Sequence, residues 1–223
     1  MRAAIFDLDG TLVDTHRDLA RGVNAALESL GYAPLPVEHV RQLVGNGVVN
    51  LLARALSVAE SDPAVALARR VFDVEYLAHV ADESAPYLGV RELIATIQAR
   101  GVRVAIATNK PRAFSRRLLD TLKIARFDAL ACADEVRHRK PAADVLALAA
   151  RRVDAAPCEV VFVGDSPVDL DSARAFGSRF LGVGWGFQAK ALADRGVPIL
   201  ESVAQLEEAL GFTARKSGGM SGR

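Results

Sequence analysis

The sequence predicts an α/β protein with a central, mostly parallel sheet and an all-helical block inserted after the first strand. Short apolar runs of about four to six residues, typical of buried parallel strands, alternate with longer segments of helical periodicity. The stretch 15–84 breaks this alternation, because it contains helical patterns and no convincing strand. Strands are predicted at 3–6, 102–107, 130–133, 160–163 and 180–183.

Helix boundaries follow from apolar spacing and from residues typical of caps. Segments 90–97 and 142–153 carry apolar side chains at helical spacing, and Gly101 follows the first of them as a left-handed C-cap residue. Asp62 and Pro63 are typical of an N-cap and of a first helical position. They indicate that one helix of the inserted block begins there.

The inserted block is too long to be a simple connection, since connections usually have roughly two to six residues. We therefore predict a helical cap domain at 15–85, joined by hinges near 14–18 and 85–89. The core domain comprises 1–14 and 86–212. The end of the chain, 213–223, is rich in Gly, Ser and basic residues and is predicted to be a flexible tail.

Composition excludes several classes of protein. The 223 residues include 28 Lys and Arg against 27 Asp and Glu, for a net charge of +1, and 51% of them are hydrophobic. So high a hydrophobic fraction excludes a disordered chain, and a near-zero net charge argues against a nucleic-acid binder, which normally carries a basic face. We therefore expect the partner to be a small molecule.

Cysteine usage and hydropathy favour a cytoplasmic protein. Cys132 and Cys158 belong to no CxxC pair or zinc-type cluster, so both are interpreted as thiols without a chemical role. No apolar run reaches the roughly 18 residues of a membrane span, and Asp7 follows the N-terminus too closely for a signal peptide. We expect no membrane partner, and a monomer or a homodimer.

Acidic residues follow two of the predicted strands directly. Asp7 and Asp9 end the first strand, where Gly10 supplies backbone freedom for a turn, and Asp165 and Asp169 follow the fourth. Ligands of parallel sheets bind at the carboxyl ends of the strands. Carboxylates grouped there would repel one another unless a cation lay between them, and hard oxygen ligands suit Mg²⁺.

Residues suited to binding an anion occur at two further positions, each at the start of a helix or another element. Thr108 and Asn109 end the second strand, where a hydroxyl and the free N–H groups of a following helix form an anion site. Lys140 precedes Pro141 at the start of another element, which fixes its position. Each signal alone is weak, because Thr-Asn is also a common N-cap and a lone lysine is usually solvated.

Together these residues resemble the haloacid dehalogenase superfamily of phosphohydrolases. Its four motifs are matched, in order, by Asp7-x-Asp9-Gly10-Thr11, by Thr108, by Lys140-Pro141 and by Gly164-Asp165-x-x-x-Asp169. The helical insertion after the first motif is similar to that of members with a small helical cap. The resemblance implies a three-layer Rossmann-like core, dependence on Mg²⁺ and an aspartyl-phosphate intermediate.

The resemblance also implies a role for each matched acid. Asp7 would be the nucleophile and a metal ligand, and Asp165 a second metal ligand. Asp9 would be the general acid and base, binding the metal through its backbone carbonyl. Its presence argues against a dehalogenase, since a halide leaving group needs no proton.

The remaining matched residues would bind the transferred phosphoryl group. Gly10, Thr108, Asn109 and Lys140 are expected to contact it. Asp169 would support them by orienting Lys140 or a metal-bound water.

Within that superfamily the chain is most similar to the phosphoglycolate phosphatase branch. The similarity lies in the runs QLVGNGV at 42–48, TNKP at 108–111 and GVGWGF at 182–187. The chain departs from the branch at Leu88, where a proline usually precedes the hinge glycine. The branch implies 2-phosphoglycolate as substrate and Asn46, in the cap, as a contact to it. A tight turn between two cap helices is the simpler interpretation of the residues around Asn46.

Other functions share these motifs. Phosphatases for sugar phosphates, amino-sugar phosphates or pyrophosphate differ mainly in the cap, and a phosphomutase would pass the phosphoryl group onward. A phospho-accepting signalling module is disfavoured, because its acceptor aspartate follows a middle strand and it has no cap. The arginines of the inserted block are candidates to meet a substrate carboxylate, and none is assigned: Arg17, Arg41 and Arg54.

Overall fold

A parallel sheet forms the centre of the fold in the computed structural model, which describes residues 1–124 and 127–212. The predicted tail at 213–223 lies outside the described residues. The strands are β1 (Ala3–Phe6), β2 (Val13–Asp14), β3 (Ala85–Pro86), β4 (Arg103–Thr108), β5 (Ala129–Cys132), β6 (Val160–Gly164), β7 (Arg179–Val183) and β8 (Ile199–Leu200). The sheet has the order β5-β4-β1-β6-β7-β8 with every pair parallel.

The fold class predicted from the sequence is confirmed. Each of the predicted sheet strands is present with its ends displaced by at most one residue, whereas the short strand β8 was not predicted. The helices are α1 (His16–Ser29), α2 (Val37–Leu43), α3 (Val48–Leu56), α4 (Pro63–Ala78), α5 (Val90–Ala99), α6 (Arg112–Thr121), α7 (Asp144–Arg152), α8 (Pro167–Phe176), α9 (Ala189–Ala193) and α10 (Val203–Ala209).

Helices cover both faces of the sheet, because its central strand is apolar on both sides. Ala4 and Phe6 of β1 belong to a hydrophobic cluster that continues into α5, α6 and the inserted helices. Ala3 and Ile5 point the other way and join a second cluster with α7. The alternation of side chains along β1 therefore produces the three layers.

The cap signals in the sequence also appear in the structure. The Asp62 carboxylate accepts the Ala64 N–H at 2.8 Å, so it caps α4 as predicted. Gly101 follows the end of α5 with φ +74°, in the left-handed region. None of the helices among the described residues combines the length and the apolar character that a membrane span requires.

The inserted helices α1 to α4 leave and rejoin the sheet through a short antiparallel ribbon. Val13 pairs with Pro86 and Asp14 with Ala85, so the two predicted hinges lie side by side. No residue of 15–84, all of which the structure describes, is in a strand. The division into a cap and a core domain remains a prediction, and this ribbon is its boundary.

One buried carboxylate connects the two chain segments that lie next to this ribbon in the inserted block. Asp18, in the first turn of α1, is 1% exposed and accepts the Ser84 N–H at 2.8 Å and the Ser84 hydroxyl at 2.6 Å. It also accepts the Glu83 N–H at 3.1 Å. The start of the inserted block is thereby bonded to its end.

We expect Asp18→Ala to lower the free energy of unfolding by about 2–4 kcal/mol, because it leaves buried N–H and hydroxyl donors without an acceptor. Urea unfolding measures the change. Glu28→Ala, at an exposed position of the same helix, serves as the control. Equal unfolding free energies for the two variants would contradict the assignment.

Candidate active site

The predicted site residues meet at the carboxyl ends of three neighbouring strands. Asp7 follows β1, Thr108 ends β4 and Asp165 follows β6. Lys140 reaches the same point from the segment between β5 and α7. All four are buried, each at most 8% exposed. The parallel order of the sheet is what brings them together.

Lys140 is at the centre of a buried charge network. Its Nζ donates to Asp7 Oδ1 and to Asp169 Oδ1, each at 2.7 Å, and to the Ala107 carbonyl at 3.0 Å. Burial opposes its charged form, but attraction to Asp169 and Asp7 outweighs this, so the pKa of Lys140 is raised. Lys140 therefore carries a positive charge beside Asp7.

Asp169 is held by the first turn of its own helix. Its Oδ2 accepts the Ser166 hydroxyl at 2.6 Å and the Ser166 N–H at 3.2 Å, which closes a capping box at the start of α8. Gly164 permits this, since a Cβ atom there would lie 2.5 Å from Asp169 Cβ. One Asp169 oxygen is thus fixed, and the other is directed at Lys140.

Asp165 is enclosed by two segments that are distant in the sequence. Thr11 donates its hydroxyl to Oδ1 at 2.9 Å, and the Phe187 N–H donates to Oδ2 at 2.7 Å. A Cβ atom on Gly10 would lie 2.6 Å from Oδ2, and one on Gly186 would lie 2.1 Å from Asp165 Cβ. The end of the run 182–187 therefore packs closely around Asp165 through Gly186 and Phe187.

The charges of the acidic cluster are only partly compensated. Asp7, Asp165 and Asp169 offer carboxylate oxygens that lie within 4.8 Å of one another. Burial, together with Asp169 and Asp165, raises the pKa of Asp7 to about 8 against the opposing effect of Lys140. Burial and Asp169 raise the pKa of Asp165 to about 7. Either protons or a cation must offset this repulsion.

A small void beside these carboxylates fits a metal ion. It has a volume of about 10 Å³ and is lined by Asp7, Asp9 and Asp165 among others. This is close to the space that one water-sized particle requires, roughly 10–15 Å³. Hard oxygen donors around a void of this size suit Mg²⁺, so the residues present fit the metal that the sequence predicts.

Asp9 lies apart from that cluster and has different partners. Its carboxylate accepts Lys110 Nζ at 2.9 and 3.1 Å and the Thr15 hydroxyl at 2.7 Å. Lys110 is 5% exposed, and its Nζ lies 4.6 Å from the centre of the Tyr76 ring. Burial raises the pKa of Tyr76 to about 12, so its hydroxyl is protonated at neutral pH.

A cavity lies between these residues and the inserted helices. Its volume is about 40 Å³, and Asp7, Asp9, Thr108 and Lys110 line its sheet side. The opposite side is mostly apolar and is formed by α1, α3, α4, α6 and the turn between α2 and α3: Leu19, Val44, Gly45, Gly47, Val48, Leu51, Phe72, Tyr76 and Phe114.

Of three further predicted substrate contacts, Asn109 lines the cavity, whereas Gly10 and Asn46 are not among its lining residues. Asn109 uses its side chain to bond the Lys140 N–H and carbonyl and the Gly45 carbonyl, at 2.9 to 3.0 Å. Gly10 donates its N–H to the Val13 carbonyl at 2.9 Å. Asn46 is not among the cavity-lining residues, although glycines on both sides of it are. The turn itself approaches the site, since Gly45 and Gly47 line the cavity.

The candidate arginines do not line the cavity. Arg17 pairs with Glu83 at 3.4 Å, Arg41 donates to the Gly186 carbonyl at 3.3 Å, and Arg54 donates to the Leu43 carbonyl at 3.1 Å. Sequence reasoning missed Lys110 and Tyr76, which do line it. Lys110 stands directly after Thr108 and Asn109, but nothing in the sequence separates a buried lysine from a solvated one.

Comparison with known proteins shows the family of the chain. Residues 1–177 match the family of haloacid dehalogenase-like hydrolases. The chain belongs to this family. It is 34% identical to phosphoglycolate phosphatase of Escherichia coli (strain K12) over 236 residues, covering 95% of this chain and 93% of the relative. This haloacid dehalogenase-like hydrolase is therefore a phosphoric monoester hydrolase similar to phosphoglycolate phosphatases.

Two further relatives show the breadth of the similarity. The N-acetylmuramic acid 6-phosphate phosphatase of Pseudomonas aeruginosa is 34% identical over 188 residues, covering 84% of this chain and 83% of the relative. A solved structure from Lactobacillus delbrueckii subsp. bulgaricus superposes with a TM-score of 0.86 at 28% identity, covering 94% of this chain and 98% of that one. The two curated relatives are thus named for different phosphate esters at the same identity to this chain.

Gly10→Ala should displace Asp165 and lower kcat by about 100-fold, because small misplacements in an active site are strongly felt. Gly31→Ala is a matched control: both glycines have positive φ, +87° and +81°, but a Cβ atom on Gly31 meets nothing within 4 Å. The control introduces only the backbone strain, which should lower the free energy of unfolding by about 1–2 kcal/mol. It should keep full activity. Phosphatase assays and urea unfolding separate the two effects, and equal activities would contradict the role given to the contact.

Proposed function

We propose that this protein is a Mg²⁺-dependent phosphatase that hydrolyses 2-phosphoglycolate to glycolate and phosphate through an aspartyl-phosphate on Asp7. Its family makes it a phosphoric monoester hydrolase, so the proposal concerns metal, mechanism and substrate. The observation that carries it is the cavity of about 40 Å³ that both Asp7 and Asp9 line. This is room for roughly three water-sized groups, which suits a small leaving group.

Asp7 acts as the nucleophile in the proposed first half-reaction. One of its oxygens bonds to phosphorus while the bond from phosphorus to the ester oxygen breaks, and Asp9 donates a proton to that departing oxygen. In the second half-reaction Asp9 removes a proton from water, whose oxygen bonds to phosphorus. Phosphate then leaves Asp7, and Asp9 is protonated again.

Two neighbours of Asp7 favour this attack. The Lys140 ammonium ion, 2.7 Å from Asp7, offsets the repulsion between a carboxylate and an approaching phosphate. The Thr108 hydroxyl accepts the Lys110 N–H at 3.1 Å, so its own proton is available to a phosphoryl oxygen. Asp169 fixes the position of Lys140 through a 2.7 Å contact. Positioning and charge compensation supply most of the catalysis in phosphoryl transfer.

The residues that would hold Mg²⁺ are Asp7, Asp165 and the backbone carbonyl of Asp9. When bound, the metal would offset the negative charge of the carboxylates and of the phosphoryl group. The support for this is the void of about 10 Å³ beside these residues and the close approach of three buried carboxylates.

Cavity size favours 2-phosphoglycolate over the larger phosphate esters. The two relatives with different substrates are equally identical to this chain, at 34%, so identity does not separate them. A two-carbon acid fits a cavity of about 40 Å³ far better than an amino sugar does. We also propose that the protein is cytoplasmic and acts on a freely diffusing metabolite.

A kinetic panel of phosphate esters tests the substrate. We expect the highest kcat/KM with 2-phosphoglycolate and steady release of inorganic phosphate. A clear preference for an amino-sugar or hexose phosphate would contradict the proposed substrate, but it would not affect the assignment of the protein as a hydrolase. Phosphoryl transfer to a second sugar in place of release would instead favour a phosphomutase.

Asp7→Asn should lower kcat/KM by about 10³-fold or more, because an amide oxygen does not displace the ester oxygen. The variant should keep its fold, since it removes one of several crowded negative charges. Asp120→Asn, at an exposed position in α6, is the matched control and should keep full activity. An active Asp7→Asn variant would reject the assigned nucleophile.

Metal-free protein should lose thermal stability as the pH rises from 5 to 8.5. The pKa values of Asp7 and Asp165 rise on folding from 3.8 to about 8 and about 7, so the folded state holds more protons than the unfolded state within this range. Stability that depends on those protons is lost as they leave. Mg²⁺ competes with the same protons, so it should raise Tm more at pH 8.5 than at pH 5.

Differential scanning fluorimetry in EDTA and in Mg²⁺ measures both effects. Asp165→Asn should reduce the shift that Mg²⁺ produces, whereas Asp171→Asn, on α8 with its side chain 40% exposed, should leave it unchanged. A shift of equal size at both pH values would contradict metal binding by these carboxylates.

A further inference from the structure

The Tyr76 hydroxyl is a buried polar group that makes no well-formed hydrogen bond with any of the described residues, although Lys110 lies close enough to interact with it. Tyr76 belongs to α4, is 1% exposed, and lines the cavity over Asp7 and Asp9. A hydroxyl without a hydrogen bond is unfavourable in a protein interior, and native structures pair the large majority of such groups. The cavity is the space from which a partner for this hydroxyl can come.

The Tyr76 ring is fixed, so its hydroxyl cannot turn toward another partner. The ring is stacked on Phe72 with centroids 5.2 Å apart and meets the edge of Phe114 at the same distance. Gly22 of α1 lets the two helices approach closely, since a Cβ atom there would lie 3.0 Å from the Phe72 ring and 3.3 Å from Tyr76 Cβ. The aromatic cluster therefore holds the hydroxyl in one place.

Lys110 adds a positive charge next to this ring. Its Nζ lies 4.6 Å from the ring centre, within the range of a cation–π contact. Among the cavity-lining residues, all of which are described, Lys110 has the one cationic side chain. The inserted helices otherwise present apolar side chains such as Leu19 and Leu51. Lys110 also donates to the Asp9 carboxylate at 2.9 Å, so it lies between Asp9 and the Tyr76 ring. Tyr76 and Lys110 are thus the polar side chains that the cavity offers beside its aromatic wall.

We propose that the Tyr76 hydroxyl and the Lys110 ammonium ion select the leaving group of the substrate. The hydroxyl donates a hydrogen bond to an oxygen acceptor next to the ester carbon, and the ammonium ion attracts its negative charge. The preferred substrate is then a short phosphate ester that carries a carboxylate. This inference rests on the proposed phosphatase activity and names the chemistry at the far end of the same cavity.

Tyr76→Phe tests this with two substrates of similar size. It removes the hydroxyl and keeps the ring contacts with Phe72 and Phe114. Ethyl phosphate has the two carbons of 2-phosphoglycolate without the carboxylate. The ratio of kcat/KM for 2-phosphoglycolate to that for ethyl phosphate should fall about ten-fold or more, because a hydrogen bond to a charged acceptor is lost. The difference in intrinsic reactivity between the two esters cancels when variants are compared, because each variant is assayed with the same pair of substrates.

Tyr87→Phe is the matched control. The Tyr87 hydroxyl is also buried and bonds to none of the described residues, but its ring packs against Trp185, 6.2 Å away, and does not line the cavity. The control should leave the substrate ratio unchanged. Neither variant should lower Tm, because each removes a hydroxyl that makes no internal hydrogen bond.

An unchanged ratio in Tyr76→Phe would overturn the inference, and so would an equal fall in Tyr87→Phe, which would indicate a general effect of packing. If the wild-type protein hydrolyses neither substrate, the proposed function has failed separately. Calorimetric binding of glycolate then decides the inference. Weaker binding by Tyr76→Phe than by Tyr87→Phe supports it, and equal binding by the two variants overturns it.

Discussion

The buried ion-pair network around Lys140 is the constraint on which the rest of the site depends. One ammonium ion, 1% exposed, lies 2.7 Å from both Asp7 and Asp169, while Asp165 adds a third carboxylate to the same cluster. The negative charges outnumber the positive one. Because burial strengthens this repulsion, the cluster is stable only with extra protons or with a cation. The repulsion that destabilises this cluster of carboxylates is also what favours a cation among them.

Close backbone contacts make such a cluster sterically feasible. Asp165 is approached by Gly10 from one side and by Gly186 from the other, at distances that a side chain would prevent. The same approach brings the Phe187 N–H to 2.7 Å from the carboxylate. The segment after β7 thereby completes a site whose other residues come from earlier strands. Shape and charge are fixed together, because the glycines that make room also position hydrogen-bond donors.

The inserted helices determine which molecules reach the charged residues. They form a largely apolar wall, and contacts such as Asn109 to Gly45 at 3.0 Å and Arg139 to Glu60 at 2.6 Å join that wall to the sheet. Excluding water strengthens every charge interaction inside the cavity. Reactivity therefore belongs to the sheet edge, whereas selection among phosphate esters depends on the few polar groups that the cavity wall offers.

The sequence by itself determined the α/β fold, the helical insertion and the acids and lysine that meet at the carboxyl edge of the sheet. It could do so because these features follow from local apolar periodicity and from residues placed directly after strands. The tertiary structure alone decided the environment of Lys110 and Tyr76, the use of Asn109 as a backbone bridge and the exclusion of Asn46 and the arginines from the cavity. Burial and pairing of a side chain depend on segments far away in the sequence, which no local pattern records.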